Sequence, residues 1–248
     1  MKNNYFYKKA FSNIYKNSSG SSEITSQILY GEKFKILSKN NKWIKIKTTF
    51  DNYIGHIKNK GFTNSHKPTH KVFVLKANIF NKPNNKTKYF LPFASKISII
   101  KKNKKFIEFD KNKWIKEKDI KKIDHIEKDY LKVLKLFLKT KYVWGGKTYK
   151  GIDCSAILQL FFYYNNKFYP RDTKNQIKYS IKNIKQKVFK KGDVIFWKGH
   201  VAICINSKKL IHAYGPKKKV IIMPINKTLE IIEKTAKLKV NKISSINF

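Results

Sequence analysis

The feature that most constrains this chain is a period-two alternation of apolar and polar residues that fills its first half and stops near Ile123. Short bursts such as Phe34-Lys35-Ile36-Leu37, Trp43-Ile44-Lys45-Ile46 and Tyr53-Ile54-Gly55-His56-Ile57 are separated by turn residues, Lys39-Asn40-Asn41 and Asp51-Asn52 among them. Alternation sends successive side chains to opposite faces, so each burst reads as a short antiparallel strand with one buried face. The pattern occurs twice. Lys42-Trp43-Ile44-Lys45-Ile46 has its counterpart in Lys105-Phe106-Ile107-Glu108-Phe109. Each is followed by a polar turn and an aromatic strand start, at Tyr53-Ile54 and Trp114-Ile115. Two small β barrels of about sixty residues are expected, residues 1–66 and 67–123, joined near Asn64-Ser65-His66-Lys67-Pro68. One larger β sandwich is the alternative.

Beyond Ile123 the period changes. Ile126, Tyr130, Val133, Leu134, Phe137 and Leu138 recur at helical spacing. A second helix is expected from about residue 154 to 164. Strands follow at 194–197, 200–205, 210–214 and 220–223, then a helix at 228–236. Helices first and a strand series after make residues 124–248 an α+β domain, not a doubly wound one.

Composition excludes some functions. The net charge is +41, yet Arg171 is the only arginine and the lysines are spread over the whole chain. Lys, Asn and Ile share A/T-rich codons, so coding bias accounts for much of the charge, and no specific nucleic-acid partner is expected. Any such binding would be non-specific and fall steeply with salt. Two cysteines are too few for a disulfide framework. There is no CxxC or HExxH string, and His66-x3-His70 brackets Lys67-Pro68-Thr69, which reads as a solvated loop. No metal and no cofactor are expected. No apolar run is long enough to span a membrane, and the first residues lack a signal-like pattern, so a cytoplasmic location is expected.

The chemistry-bearing stretch is Tyr142-Val143-Trp144-Gly145-Gly146, then Gly151-Ile152-Asp153-Cys154-Ser155. A glycine loop leads to a cysteine that opens an apolar helix. There the unpaired N–H groups and the positive end of the dipole favour thiolate and can hold an oxyanion. Cys154 is therefore the candidate nucleophile. His200 heads an apolar strand just after Gly199, and a strand, turn and strand would set His212 beside it. His200 can then act as base and His212 as its orienting group; a satisfied half-buried histidine is the plainer reading of His200 alone. Lys198 would lower the pKa of His200 if it pointed inward. Arg171 offers a planar fork for a carboxylate or a backbone staple, or else pairs with Asp172 and holds a loop. Cys204, among apolar neighbours, reads as core packing.

These pieces resemble the NlpC-type family of papain-like murein endopeptidases. The matching segments are Tyr142 to Gly146, Asp153-Cys154-Ser155, Pro170-Arg171-Asp172-Thr173-Lys174-Asn175-Gln176, Gly192-Asp193, His200-Val201 and Leu210-Ile211-His212-Ala213, in the family's order. The resemblance implies a papain-like fold and hydrolysis of the bond between γ-D-Glu and a diamino acid in peptidoglycan stem peptides. It implies a Cys-His-His triad at Cys154, His200 and His212, and a Tyr142 hydroxyl near the oxyanion. Asp153 and Ser155 are implied to touch substrate, and Trp144 and Arg171 join that candidate set. Ala156 stands where the family usually has glycine. The β repeats resemble the bacterial SH3-like domains often joined to such enzymes. They are expected to close one end of the groove, so that murein peptides with a free N-terminal L-Ala are preferred, with Asp153 or Tyr53 accepting the amine. The alternatives are a basic SH3-like binding module with an inactive peptidase domain, or an amidase or acyltransferase on the same fold.

Overall fold

The computed structural model describes residues 4–180 and 188–246. The chain divides into two compact units, Met1–Ile126 with Tyr163–Asn166, and Glu127–Phe162 with Lys167–Phe248.

The first unit is built of antiparallel strands. β1 (Asn4–Tyr7), β2 (Phe11–Tyr15), β3 (Ile24–Leu29), β4 (Lys33–Lys39), β5 (Trp43–Thr48), β6 (Ile54–Lys58) and β7 (Phe62–Thr63) form one sheet in the order β3-β2-β6-β5-β4-β1-β7. Its inward residues, Ile14, Ile28, Phe34, Ile44, Ile46 and Ile57, make one core. The next strands are β8 (His70–Val72), β9 (Lys76–Lys82), β10 (Asn85–Pro92), β11 (Lys96–Ile97), β12 (Lys101–Asn103), β13 (Phe106–Asp110), β14 (Lys113–Lys116) and β15 (Ile120–Lys122). They form a five-stranded sheet, β10-β9-β14-β13-β12, and a three-stranded one, β11-β8-β15. The repeat seen in the sequence is the meander β4-β5-β6 recurring as β12-β13-β14, with Trp43 and Phe106 each opening the middle strand. One expectation is corrected. His66 does not lie in a solvated loop: its ring is half-buried, with Nε2 3.1 Å from the Lys96 carbonyl oxygen and Nδ1 3.2 Å from Ser98 Oγ. His70 opens β8.

The second unit contains α1 (Tyr130–Leu136), the short hairpin β16 (Lys147–Thr148) and β17 (Gly151–Ile152), α2 (Cys154–Tyr164) and α3 (Thr173–Tyr179). Then come β18 (Asp193–Trp197), β19 (His200–Cys204), β20 (Lys209–Tyr214), β21 (Lys219–Pro224), α4 (Ile225–Ala236) and β22 (Lys242–Ser245). The last two residues of α2, Tyr163 and Tyr164, belong to the first unit. The strands form an antiparallel sheet in the order β21-β20-β19-β18-β22. Its core joins Ile195, Trp197, Ala202, Cys204 and Leu210 to Ile225 and Ile232 of α4. Each such side chain contributes about 1.5–3 kcal/mol by leaving water. Cys204 is thus a core residue. α1 is shorter than its apolar spacing predicts. The Asp129 side chain accepts from the Leu131 N–H and starts it, Phe137 caps it, and Ile126 lies outside, exposed.

The turn from β18 to β19 is only Lys198-Gly199, since Trp197 already pairs with His200. Gly199 has φ +76°, a left-handed conformation that costs an L side chain about 1–2 kcal/mol. Lys198 is exposed on this turn and does not point inward.

Candidate active site

Cys154 is the first residue of α2 and is 3% exposed. The chain reaches it through the β16–β17 hairpin, where the backbone closes on itself. A Cβ on Gly146 would stand 2.6 Å from the Gly151 carbonyl oxygen, so glycine is required there. The sulfur lies against the tight turn of the sheet. Its thiol reaches the Gly199 carbonyl oxygen at 3.8 Å, and the Val201 N–H and the Thr173 side chain hydrogen-bond to it. Gly199 and Val201 flank His200 in the chain, and Thr173 opens α3.

The sheet register then aligns the histidines. Ile203 pairs with Ile211 and Cys204 with Leu210. Continued toward the turn, that register sets His212 opposite Ala202, diagonal to His200 on one face. His200 Nε2 is 2.9 Å from His212 Nδ1. On the next strand His212 pairs with Ile221, which makes Met223 its diagonal neighbour. His212 Nε2 is 3.4 Å from Met223 Sδ. The Tyr214 ring stacks on His212 at 4.7 Å and 10°. His212 has no exposed surface.

Burial sets the charge state of this row. It pulls His200 down to about 4. Burial, then repulsion from His200, pulls His212 down to about 2. Burial and then the Asp153 charge push the Cys154 thiol up to about 12, against the Val201 N–H, Thr173 and Arg171. Burial and the Asp153 charge thus work against the thiolate that the helix N-terminus favours. Asp153 itself caps the helix, accepting from the Ala156 N–H at 2.8 Å, and its charge offsets the dipole beside the sulfur. The depression of His200 comes from burial and not from Lys198.

Asp153 is the centre of a second cluster. Its carboxylate takes both nitrogens of the Arg171 fork, Nη2 at 2.6 Å and Nη1 at 2.9 Å. It also accepts from the Gly145 N–H at 3.0 Å and the Ser155 hydroxyl at 3.1 Å. Arg171 donates to Ser155 Oγ as well, and Gln176 Nε2 ties the Ser155 and Pro170 carbonyls together. Arg171 is 2% exposed and Asp153 5%. Arg171 therefore holds Asp153 rather than Asp172. Asp153, Ser155 and Arg171 bond to one another, to the first turn of α2 and to the backbone of Gly145 and Gly146.

Tyr142 is bridged to Ile152 beside this turn. Burial, then the Cys154 and Asp153 charges, raise its hydroxyl above the ordinary tyrosine range, so it remains a donor. Among the described residues the Cys154 and Ser155 amide N–H groups have no backbone acceptor. Trp144 is 58% exposed. Tyr53 lies in the first unit, where its hydroxyl donates to the Thr25 carbonyl at 3.4 Å. Thr173 and Met223 were not singled out as site residues from sequence; only the placement of Thr173 directly after Arg171-Asp172 hinted at it. Among the described residues no group of three or more His, Cys, Asp or Glu could hold a metal ion.

Residues 139–235 match the NlpC/P60 family, and residues 14–62 match the bacterial dipeptidyl-peptidase SH3 domain. A 77-residue stretch is 35% identical to dipeptidyl-peptidase 6 of Lysinibacillus sphaericus, covering 31% of this chain and 28% of that protein. Over 231 residues the chain is 23% identical to the gamma-D-glutamyl-L-lysine dipeptidyl-peptidase of Bacillus subtilis (strain 168), covering 83% of this chain and 77% of that one. Its fold is similar to the crystal structure of a NlpC/P60 family protein from Bacillus cereus ATCC 10987. The TM-score is 0.78 at 18% identity, over 90% of this chain and 94% of that one.

Proposed function

We propose that this chain, which carries an NlpC/P60 domain behind a bacterial dipeptidyl-peptidase SH3 domain, is a cysteine peptidase that cuts the γ-D-Glu–diamino acid bond of murein peptides. The observation that carries the reading is the hydrogen bond between His200, at the head of β19, and His212 on β20, with the Cys154 thiol seated against the Gly199 carbonyl just before His200. With Nε2 of His200 engaged by His212, Nδ1 is the nitrogen left for the thiol. His200 takes the thiol proton through Nδ1 as sulfur attacks the peptide carbonyl, and the Cys154 N–H and Tyr142 hydroxyl stabilise the oxyanion. The same imidazolium then protonates the departing amine, leaving a thioester. Water, deprotonated by His200, releases the acyl group. Burial works against charge on both the thiol and the imidazole before substrate arrives.

The substrate is a peptide with a free N-terminal L-Ala. That finer reading is supported by the dipeptidyl-peptidase names of the relatives and of the SH3 domain matched at residues 14–62. Incubation with L-Ala-γ-D-Glu-L-Lys and with its diaminopimelate analogue should release the diamino acid. N-acetylation of the alanine should slow the reaction strongly. Equal rates on free and acetylated peptides, or preference for intact sacculi, would overturn the amino-terminal specificity. No release from any murein peptide would overturn the substrate class.

A further inference from the structure

We propose that Met223 is a positioning residue that fixes the tautomer of the histidine pair, its thioether accepting the Nε2–H of His212. The inference rests on the cysteine-peptidase reading and extends it by one residue. Two neutral imidazoles carry one N–H each. The 2.9 Å bond between His200 Nε2 and His212 Nδ1 needs one donor and one acceptor, so only two arrangements exist.

In the first, His200 donates from Nε2 to a bare His212 Nδ1. His212 then carries its proton on Nε2, and His200 Nδ1 is bare and able to take the thiol proton. In the second, His212 donates from Nδ1. His200 then carries its proton on Nδ1 and cannot act as base, and His212 Nε2 presents a lone pair to its surroundings. What faces His212 Nε2 decides between them. At 3.4 Å stands the Met223 thioether, which accepts weakly and cannot donate. It complements an N–H and opposes a lone pair. His212 is fully buried and Met223 is 7% exposed, so bulk water does not readily substitute. The three side chains lie on one diagonal across β19, β20 and β21, and the pairing of His212 with Ile221 fixes that diagonal.

Composition adds independent weight. The chain has two methionines, Met1 and Met223, and fills its cores with isoleucine and leucine. The internal methionine thus sits beside a fully buried imidazole nitrogen, where an aliphatic chain of similar volume would offer no acceptor.

The test is the nitrogen NMR spectrum of 15N-histidine-labelled full-length protein at neutral pH, with the His212 signals identified by their loss in His212→Asn. Wild type should show His212 as the Nε2–H tautomer. Met223→Leu should move it toward Nδ1–H and lower kcat by about three- to tenfold with KM unchanged. Met223→Gln, which restores an acceptor oxygen, should recover the Nε2–H tautomer and part of kcat. A wild-type Nδ1–H tautomer overturns the proposal even if no variant folds. So does a Leu variant that keeps both the wild-type tautomer and kcat. The spectrum needs no substrate, so failure to cleave murein peptides would leave this test standing.

Discussion

On one flank of Cys154 Arg171 and Asp153 lie buried together as an ion pair; on the other, burial works against charge on His200, His212 and the thiol itself. Both regions take ionisable groups out of water. The first keeps its charges because each oxygen of Asp153 meets a nitrogen of the Arg171 fork as well as other donors. In the second, no opposite charge offsets the burial of the two imidazoles, and burial outweighs Arg171 at the thiol. The difference follows the work each region does. A buried ion pair is rigid, and it fixes the turn that delivers Cys154. A neutral pair can be charged during reaction, when substrate supplies the developing oxyanion as counterpart.

The comparison breaks most visibly at the reacting groups. Cys154→Ala and His200→Ala should each lower kcat/KM on order of 10⁴-fold or more, while Cys204→Ala keeps most activity. His212→Ala should fall between, because an orienting group is partly replaceable. Steady-state kinetics on one murein peptide ranks all four, and equal losses at His200 and His212 would undo the assignment of roles. On the charged flank, Arg171→Ala leaves the Asp153 charge buried without its partner and should cost about 3–5 kcal/mol of stability. Denaturant unfolding measures it. A loss below about 1 kcal/mol would mean the ion pair does not hold the turn.

The most gradual effect is a slope. Both histidines have folded pKa values depressed below the unfolded value, so the unfolded chain binds their protons first as pH falls. Stability from this source is complete above about pH 6.5. It declines by roughly 1.4 kcal/mol per pH unit for each imidazole as pH drops from there toward about 4, where His200 also protonates. Unfolding free energies between pH 7 and pH 5 should show the slope, and His212→Asn should reduce it by about half. A flat profile would place a charged imidazole in the folded protein and erase the contrast between the flanks.

Much of this was legible in the sequence. The start of α2 at Cys154 and the strands carrying His200 and His212 follow from local alternation and from a glycine loop before an apolar run. What escaped depends on pairing between distant segments. β22, Lys-Ile-Ser-Ser, carries little apolar signal and is a strand because β18 lies beside it. Met223 matters only through its diagonal to His212. Arg171 meets a residue eighteen positions earlier. The upward push on the thiol pKa was missed for a related reason: the helix start is local, whereas burial of the sulfur is tertiary.

Of the chain's 56 basic residues, Arg171 alone is not lysine. A lysine at that position could reach one oxygen of Asp153 as a point charge and would lack the second arm that reaches the other. The chain's lysines supply charge on flexible stems; at this position the fork supplies shape as well, two parallel arms for the two oxygens of one buried carboxylate.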